Sequence, residues 1–260
     1  MIGRVKVTAL GFLAPGLDDV TALAAHLDGA EWEPESGWRA SPDSLRPRQA
    51  KRLSGSIALS IAVSEQIAGS VPANGGWVFA SSLGEGDTLN RILTSLSEPD
   101  IMIQPLRFQN AVHNAALGQW SIAMGAAGPG TSIAAQDATA GAGLLKAVMQ
   151  VLLEGLTVGL VIFDEPLPEP LWERSPMAMP MAAALALAPT DDPETGLTLD
   201  LVQGPAAAPE LPHQLADSGN PVRHVIPLLA ALHARQTIDV IIPLPGEQAL
   251  RVQSGGEDAG

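Results

Sequence analysis

The chain has 260 residues, 46% hydrophobic and 16% charged, which fits one large α/β core and excludes a disordered chain. Its net charge of -14 repels phosphate backbones and anionic membrane surfaces, so neither nucleic acid nor a membrane is an expected partner. Cysteine is absent, which removes disulfides, thiolate metal sites and any thiol nucleophile.

The opening MIGRVKVTALGFLAPG alternates like a strand and lacks an A-x-A cleavage pattern, so it does not read as a signal peptide. The longest apolar stretches, 147–163 and 176–189, are broken by Glu154 or by prolines and fall short of a bilayer span. The expected location is the cytoplasm. Residues 4–12 form a first predicted strand, and 16–28 a short helix with Leu17, Val20, Leu23 and Ala24 on one face. A loop to Leu45 precedes a helix over 47–68, whose basic start (Arg46, Arg48, Lys51, Arg52) opposes the helix dipole and calls for acidic partners. Residues 76–81 read as a buried strand, and Asp87 is placed to cap a helix through Leu96. A loop over 105–110 leads to a helix over 111–124.

The pair Gly128-Pro129 breaks the chain before a strand at 131–135 and a strongly apolar helix at 138–153. A strand at 158–163 follows. Alternating strands and helices predict a mainly parallel sheet covered by helices on both faces. The acid- and proline-rich DEPLPEPLWERSP from Asp164 reads as a surface excursion, and residues 179–188 return to the sheet. The remainder holds strands near 197–202, 238–242 and 249–252, a helix at 222–233 and a disordered tail at 254–260.

The segment GAAGPGTSIAAQDATAGAGLLKAVMQVLLEG, residues 125–155, resembles the nucleophile region of β-ketoacyl synthases. There a Gly-Pro turn leads into a strand, a sharp elbow carries the reactive cysteine, and a helix of small residues follows. A thiol at a helix N-terminus is activated by the dipole, and small residues let the helix approach closely. WVFASSLGEGDTLNRIL (77–93) looks like the preceding strand and helix of that family. FQNAVHNAALGQWSIAMG (108–125) and VGLVIFDEPLPEP (158–170) resemble the short ketosynthase-like proteins of aryl polyene pathways.

The resemblance implies an α/β, thiolase-like layered fold. It covers residues 1–190 as a ketosynthase N-terminal-like domain and leaves 191–253 as a truncated second-half remnant. Counting from Gly128-Pro129, the cysteine position falls on Asp137; a one-residue shift places it on Gln136. Chain-length factors, the non-condensing partners in type II polyketide synthases, typically carry glutamine there. The two histidine settings of condensing enzymes, H-G-T and N-x-H, are absent: His213 lies in LPHQL, His224 in VRHVI and His233 in LHARQ.

Two classes of function follow. In one, the chain completes a ketosynthase heterodimer serving an acyl carrier protein, with Thr131, Ser132, Ile133, Ala134, Ala135 and Ala138 at the interface and acyl tunnel. In the other it is an acyl-thioester transferase, hydrolase or malonyl decarboxylase using Asp137, Gln136 or His113. The missing thiol and histidine motifs favour the first. Asp137 is expected to cap the helix after it, and His113 to make a structural hydrogen bond. No phosphate loop or metal-ligand spacing is present, so no cofactor and no metal are expected.

Overall fold

The structure, a computed structural model, describes residues 1–46, 48, 53–97, 108, 110–192 and 194–254. Among these residues eight strands form one sheet in the order β3-β2-β4-β5-β1-β6-β8-β7. Strand β1 (Gly3–Leu13) precedes helix α1 (Val20–Leu27). The helix starts later than the sequence pattern suggests, because Gly16 takes a φ of 81° in a turn and Asp19 Oδ1 caps by accepting from the Ala22 N–H at 2.7 Å.

Helix α2 (Gly55–Ala68) is capped by Ser54, and Lys51 and Arg52 of the basic stretch expected at its start lie outside the described residues. It is buried almost all round. Its Ser60 and Ser64 hydroxyls are satisfied by donating to the carbonyls of Ile57 and Ile61. Strand β2 (Gly76–Ala80), helices α3 (Gly86–Leu96) and α4 (Ala115–Met124), strand β3 (Gly130–Ile133), helix α5 (Thr139–Glu154) and strand β4 (Val158–Asp164) follow. Asp87 does not cap α3; it pairs with Arg91 one turn on, at 2.8 Å. Residue 109 and most of the expected loop at 105–110 lie outside the described residues.

Among the described residues only β3, β2 and β4 run parallel. The other five neighbouring pairs are antiparallel, so the sheet is mixed rather than mainly parallel. Strand β5 (Met181–Pro189) doubles back on β4 without a crossover helix, and β6 (Leu197–Gln203), β8 (Gln248–Ser254) and β7 (Asp239–Leu244) extend the sheet beyond β1. Strand–helix alternation dictates parallel pairing only where a helix separates the strands, as between β2, β3 and β4.

Period-2 alternation sorts the side chains to two faces. Met181, Ala183, Leu185 and Leu187 of β5 join α1, α5 and α7 (Ile226–His233), which follows the one-turn α6 (His213–Ala216), while Ala182, Ala184 and Ala186 face α2 and α4. The alanines let the serine-studded α2 lie close to the sheet. On that face Trp120 of α4 sits 4.3 Å from Trp77 and 5.4 Å from Phe79, centroid to centroid. No helix among the described residues is long and apolar enough to cross a membrane.

Candidate functional site

The C-terminal ends of the three parallel strands lie together, and a tight turn follows β3. Residues Gln136–Ala138 form one 3-10 turn between β3 and α5, and Gln136 has a φ of 51°. A side chain in this left-handed region costs of order 1 kcal/mol. Thr139 holds the turn: its hydroxyl accepts the Ala135 N–H at 2.9 Å and donates to the Gln136 carbonyl at 2.6 Å. Behind the elbow, a β-carbon on Gly141 would stand 2.1 Å from the Pro243 carbonyl oxygen, and one on Gly143 would stand 2.7 Å from Ala80 Cβ. The small residues of α5 therefore set its approach to β2 and β7, as their spacing suggests.

Asp137 is not a helix cap, since no side chain caps α5. Its carboxylate turns outward instead. Oδ1 accepts from Arg223 Nη2 at 2.7 Å and Oδ2 from His224 Nε2 at 3.0 Å. The hydrogen bond from His224 lowers the Asp137 pKa, helped by the charges of His224 and Arg223 and opposed by burial. His224 is buried, and its Nδ1 has no hydrogen-bond partner.

Both partners stand on a 3-10 turn, Pro221–Val225, that leads into α7. Asn220 fixes that turn. Fully buried, it donates from Nδ2 to the Asp164 carbonyl at 2.9 Å and accepts the Val222 N–H at 3.1 Å. Asp164, at the end of β4, is 1% exposed and is not part of a surface excursion. Its carboxyl accepts from the Ser81 hydroxyl and the Ser82 and Leu83 N–H groups at 2.8, 2.9 and 3.0 Å, while burial pushes its pKa up. The turn after β2, the end of β4 and residues 220–224 are thus stitched together beside the elbow.

Of the residues singled out from sequence, Gln136 and Asp137 occupy the elbow and are exposed. His113 lies at the turn after β2, where its Nε2 bonds to the Ser81 carbonyl at 2.8 Å and its ring packs against Gly84. It makes no bond to Gln136 or Asp137. Thr131, Ser132 and Ile133 line the sheet's outer edge, paired among the described residues to β2 alone, and the Ser132 hydroxyl is buried without a partner there. Ala134 is exposed, and Ala135 and Ala138 are half-buried.

Arg223 and His224 escape sequence reasoning because they are 86 and 87 residues from Asp137. The Asn220-Pro221 start of their turn is a local signal, but it does not say what the turn faces. Among the described residues no group of three or more His, Cys, Asp and Glu could hold a metal ion. Chemically, Asp137 is a carboxylate held by two basic side chains, which suits an anchor better than a nucleophile.

The fold is similar to that of "Ketosynthase (ApeO) in Complex with its Chain Length Factor (ApeC)" from Xenorhabdus doucetiae: TM-score 0.76, 19% identity, 96% of this chain and 99% of that one covered. It is also similar to a chain of the ishigamide ketosynthase/chain length factor, with TM-score 0.73, 13% identity, and 96% and 99% covered. A β-ketoacyl synthase from Burkholderia phymatum matches at TM-score 0.58 and 12% identity, over 90% of this chain and 71% of that one. These likenesses establish a thiolase-like α/β fold. Curated protein sequences give no significant match. The profile described as "Beta-ketoacyl synthase, N-terminal domain" matches residues 29–241, most of the length, and the chain therefore belongs to the β-ketoacyl synthase N-terminal domain family.

Proposed function

We propose that the chain is a chain-length-factor-like subunit that pairs with a cysteine-bearing ketosynthase in type II polyketide elongation of the aryl polyene kind. It makes no carbon–carbon bond itself, helps shape the acyl tunnel, and works with an acyl carrier protein in the cytoplasm. The observation that carries this reading is the elbow. It keeps the strand, left-handed turn and close-packed helix that position a nucleophile, yet it presents Gln136 and an Asp137 ion-paired to Arg223 and hydrogen-bonded to His224. Without a thiol or activated hydroxyl there, no acyl intermediate forms by covalent catalysis. The similarity in length and fold to chains from ketosynthase/chain length factor complexes supports the same reading.

Co-expression with a cysteine-bearing ketosynthase from the same genome tests the proposal. Expected are a single heterodimer peak in size-exclusion chromatography, condensation of acyl and malonyl carrier-protein thioesters by the pair, and none by this chain alone. Separate elution together with a fully active lone ketosynthase would reject the pairing. Thioester turnover by this chain alone would move the transferase, hydrolase or decarboxylase reading ahead.

A further inference from the structure

The segment leaving β4 turns back over the N-terminus of α2, where Glu165 stands at Gly55 and Glu85, from another loop, at Ser56. A β-carbon on Gly55 would stand 1.9 Å from Glu165 Oε2, so the glycine makes room for that carboxyl. The Ser56 backbone N–H, one of the unpaired first-turn donors of α2, is directed at the same group. The Ser56 hydroxyl donates to Glu85 Oε1, and Thr88 Oγ1 donates to Glu85 Oε2 at 3.2 Å. Ser56 therefore holds both acids, one through its backbone and one through its side chain. Glu85 is 6% exposed.

Among the described residues, the charges acting on Glu165 are those of Glu85 from the turn after β2, Arg39 from the loop before α2, and Asp87 from the first turn of α3. Arg39 also donates to the Leu53 carbonyl, and among these described groups acids outnumber cations. Two ionised carboxylates largely removed from water repel each other, and one retained proton relieves the repulsion.

We propose that Glu165 is a proton-operated latch between the segment after β4 and the N-terminus of α2, shut while its carboxyl, seated at Gly55 beside the Ser56-bound Glu85, holds a proton and loosened when that proton leaves. Burial, with the charges of Glu85 and Asp87, outweighs the Ser56 N–H and Arg39 and pushes Glu165 up to about 7 from its ordinary 4.5. This latch is independent of any partner subunit.

The sign follows from linkage. Between 4.5 and about 7 the closed form holds a proton that the open form lacks. Latch stability is thus fully present below 4.5, falls as pH rises through that window, and has reached its low plateau above about 7.

Hydrogen exchange of the full chain, followed in peptides covering the α2 N-terminus and the segment after Asp164 and corrected for intrinsic rates, reads the latch directly. Protection should fall with rising pH by up to about tenfold per unit, the limit for a single proton, and then level off. Glu165→Gln, which stays neutral, should hold protection flat across the window. A flat wild-type profile, or an unchanged slope in Glu165→Gln, overturns the proposal.

Infrared spectra of wild-type protein labelled with 13C-glutamate give a second measurement that needs no variant and excludes Asp164. A protonated glutamate band persisting to near neutrality supports the latch, whereas loss of every such band in the ordinary carboxylate range refutes it.

Discussion

Asp137 is 60% exposed, yet its two basic partners are only 18% and 6% exposed, so the ion pair sits where solvent screens one side alone. Asp137→Asn keeps the shape and removes the charge. Because the carboxylate itself is well solvated, the expected loss is about 1 kcal/mol, and the uncompensated Arg223 contributes part of it. The Asp137 pKa is lowered in the folded chain, so the contribution is present above the ordinary 3.8 and disappears as pH falls through the lower folded value. Urea unfolding of wild type and Asp137→Asn should therefore differ at neutral pH and converge in acid. Arg223→Gln should remove much of the same term, making the double variant less destabilised than the sum. Strict additivity would mean that the contact contributes nothing.

The elbow hangs on β3, an edge strand whose backbone polar groups on one side find no partner within the sheet. Trp77 and Ser81 donate their N–H groups to the Pro129 and Ile133 carbonyls. Since a residue's N–H and C=O point to the same side of a strand, Thr131 and Ile133 face β2, while Gly130 and Ser132 face the open edge. A proline at Ile133 would thus damage the chain's own ladder. Ser132→Pro is the discriminating substitution: it removes an outward donor, which edge strands tolerate, and should leave the isolated chain folded while abolishing co-elution with the ketosynthase. Intact pairing in Ser132→Pro would show that β3 does not pair across the interface. The strand, elbow and small-residue helix were legible because each is local: Gly-Pro punctuation, β-branched residues, then alanines and glycines at close spacing. The Asp137 contacts were not, because a capping carboxylate and an ion-paired one look alike until residues 220–224 arrive from the far end of the chain. Likewise Asp164 and Glu165 stand in a proline-rich acidic run that reads as solvated, yet β4 carries them beneath the turn after β2 and against α2.

At the scale of the molecule, the helices on both faces were readable from periodicity, but strand order was not, since antiparallel return strands leave no local mark. Residues beyond 190 carry β6, which pairs with the start of β1, and β8 and β7 beyond it. Leu197, Leu199, Leu228, Leu229, Ile238, Ile242, Leu250 and Val252 belong to the same buried cluster as Val5, Val148 and Leu185. At about 1.5 kcal/mol or more per buried side chain, those eight rival the whole net stability of a typical domain, about 5–15 kcal/mol. A fragment ending at residue 190 is therefore expected to lose cooperative folding. The full chain should unfold in one step, and its tryptophans provide the test. Trp32, Trp38, Trp77, Trp120 and Trp172 all precede residue 190, so fluorescence reports the first part alone while far-UV circular dichroism reports the entire chain. Coincident midpoints for the two signals in urea are expected of a single core. Separated midpoints, or a cooperative transition in the 1–190 fragment, would show that the later strands form a unit of their own.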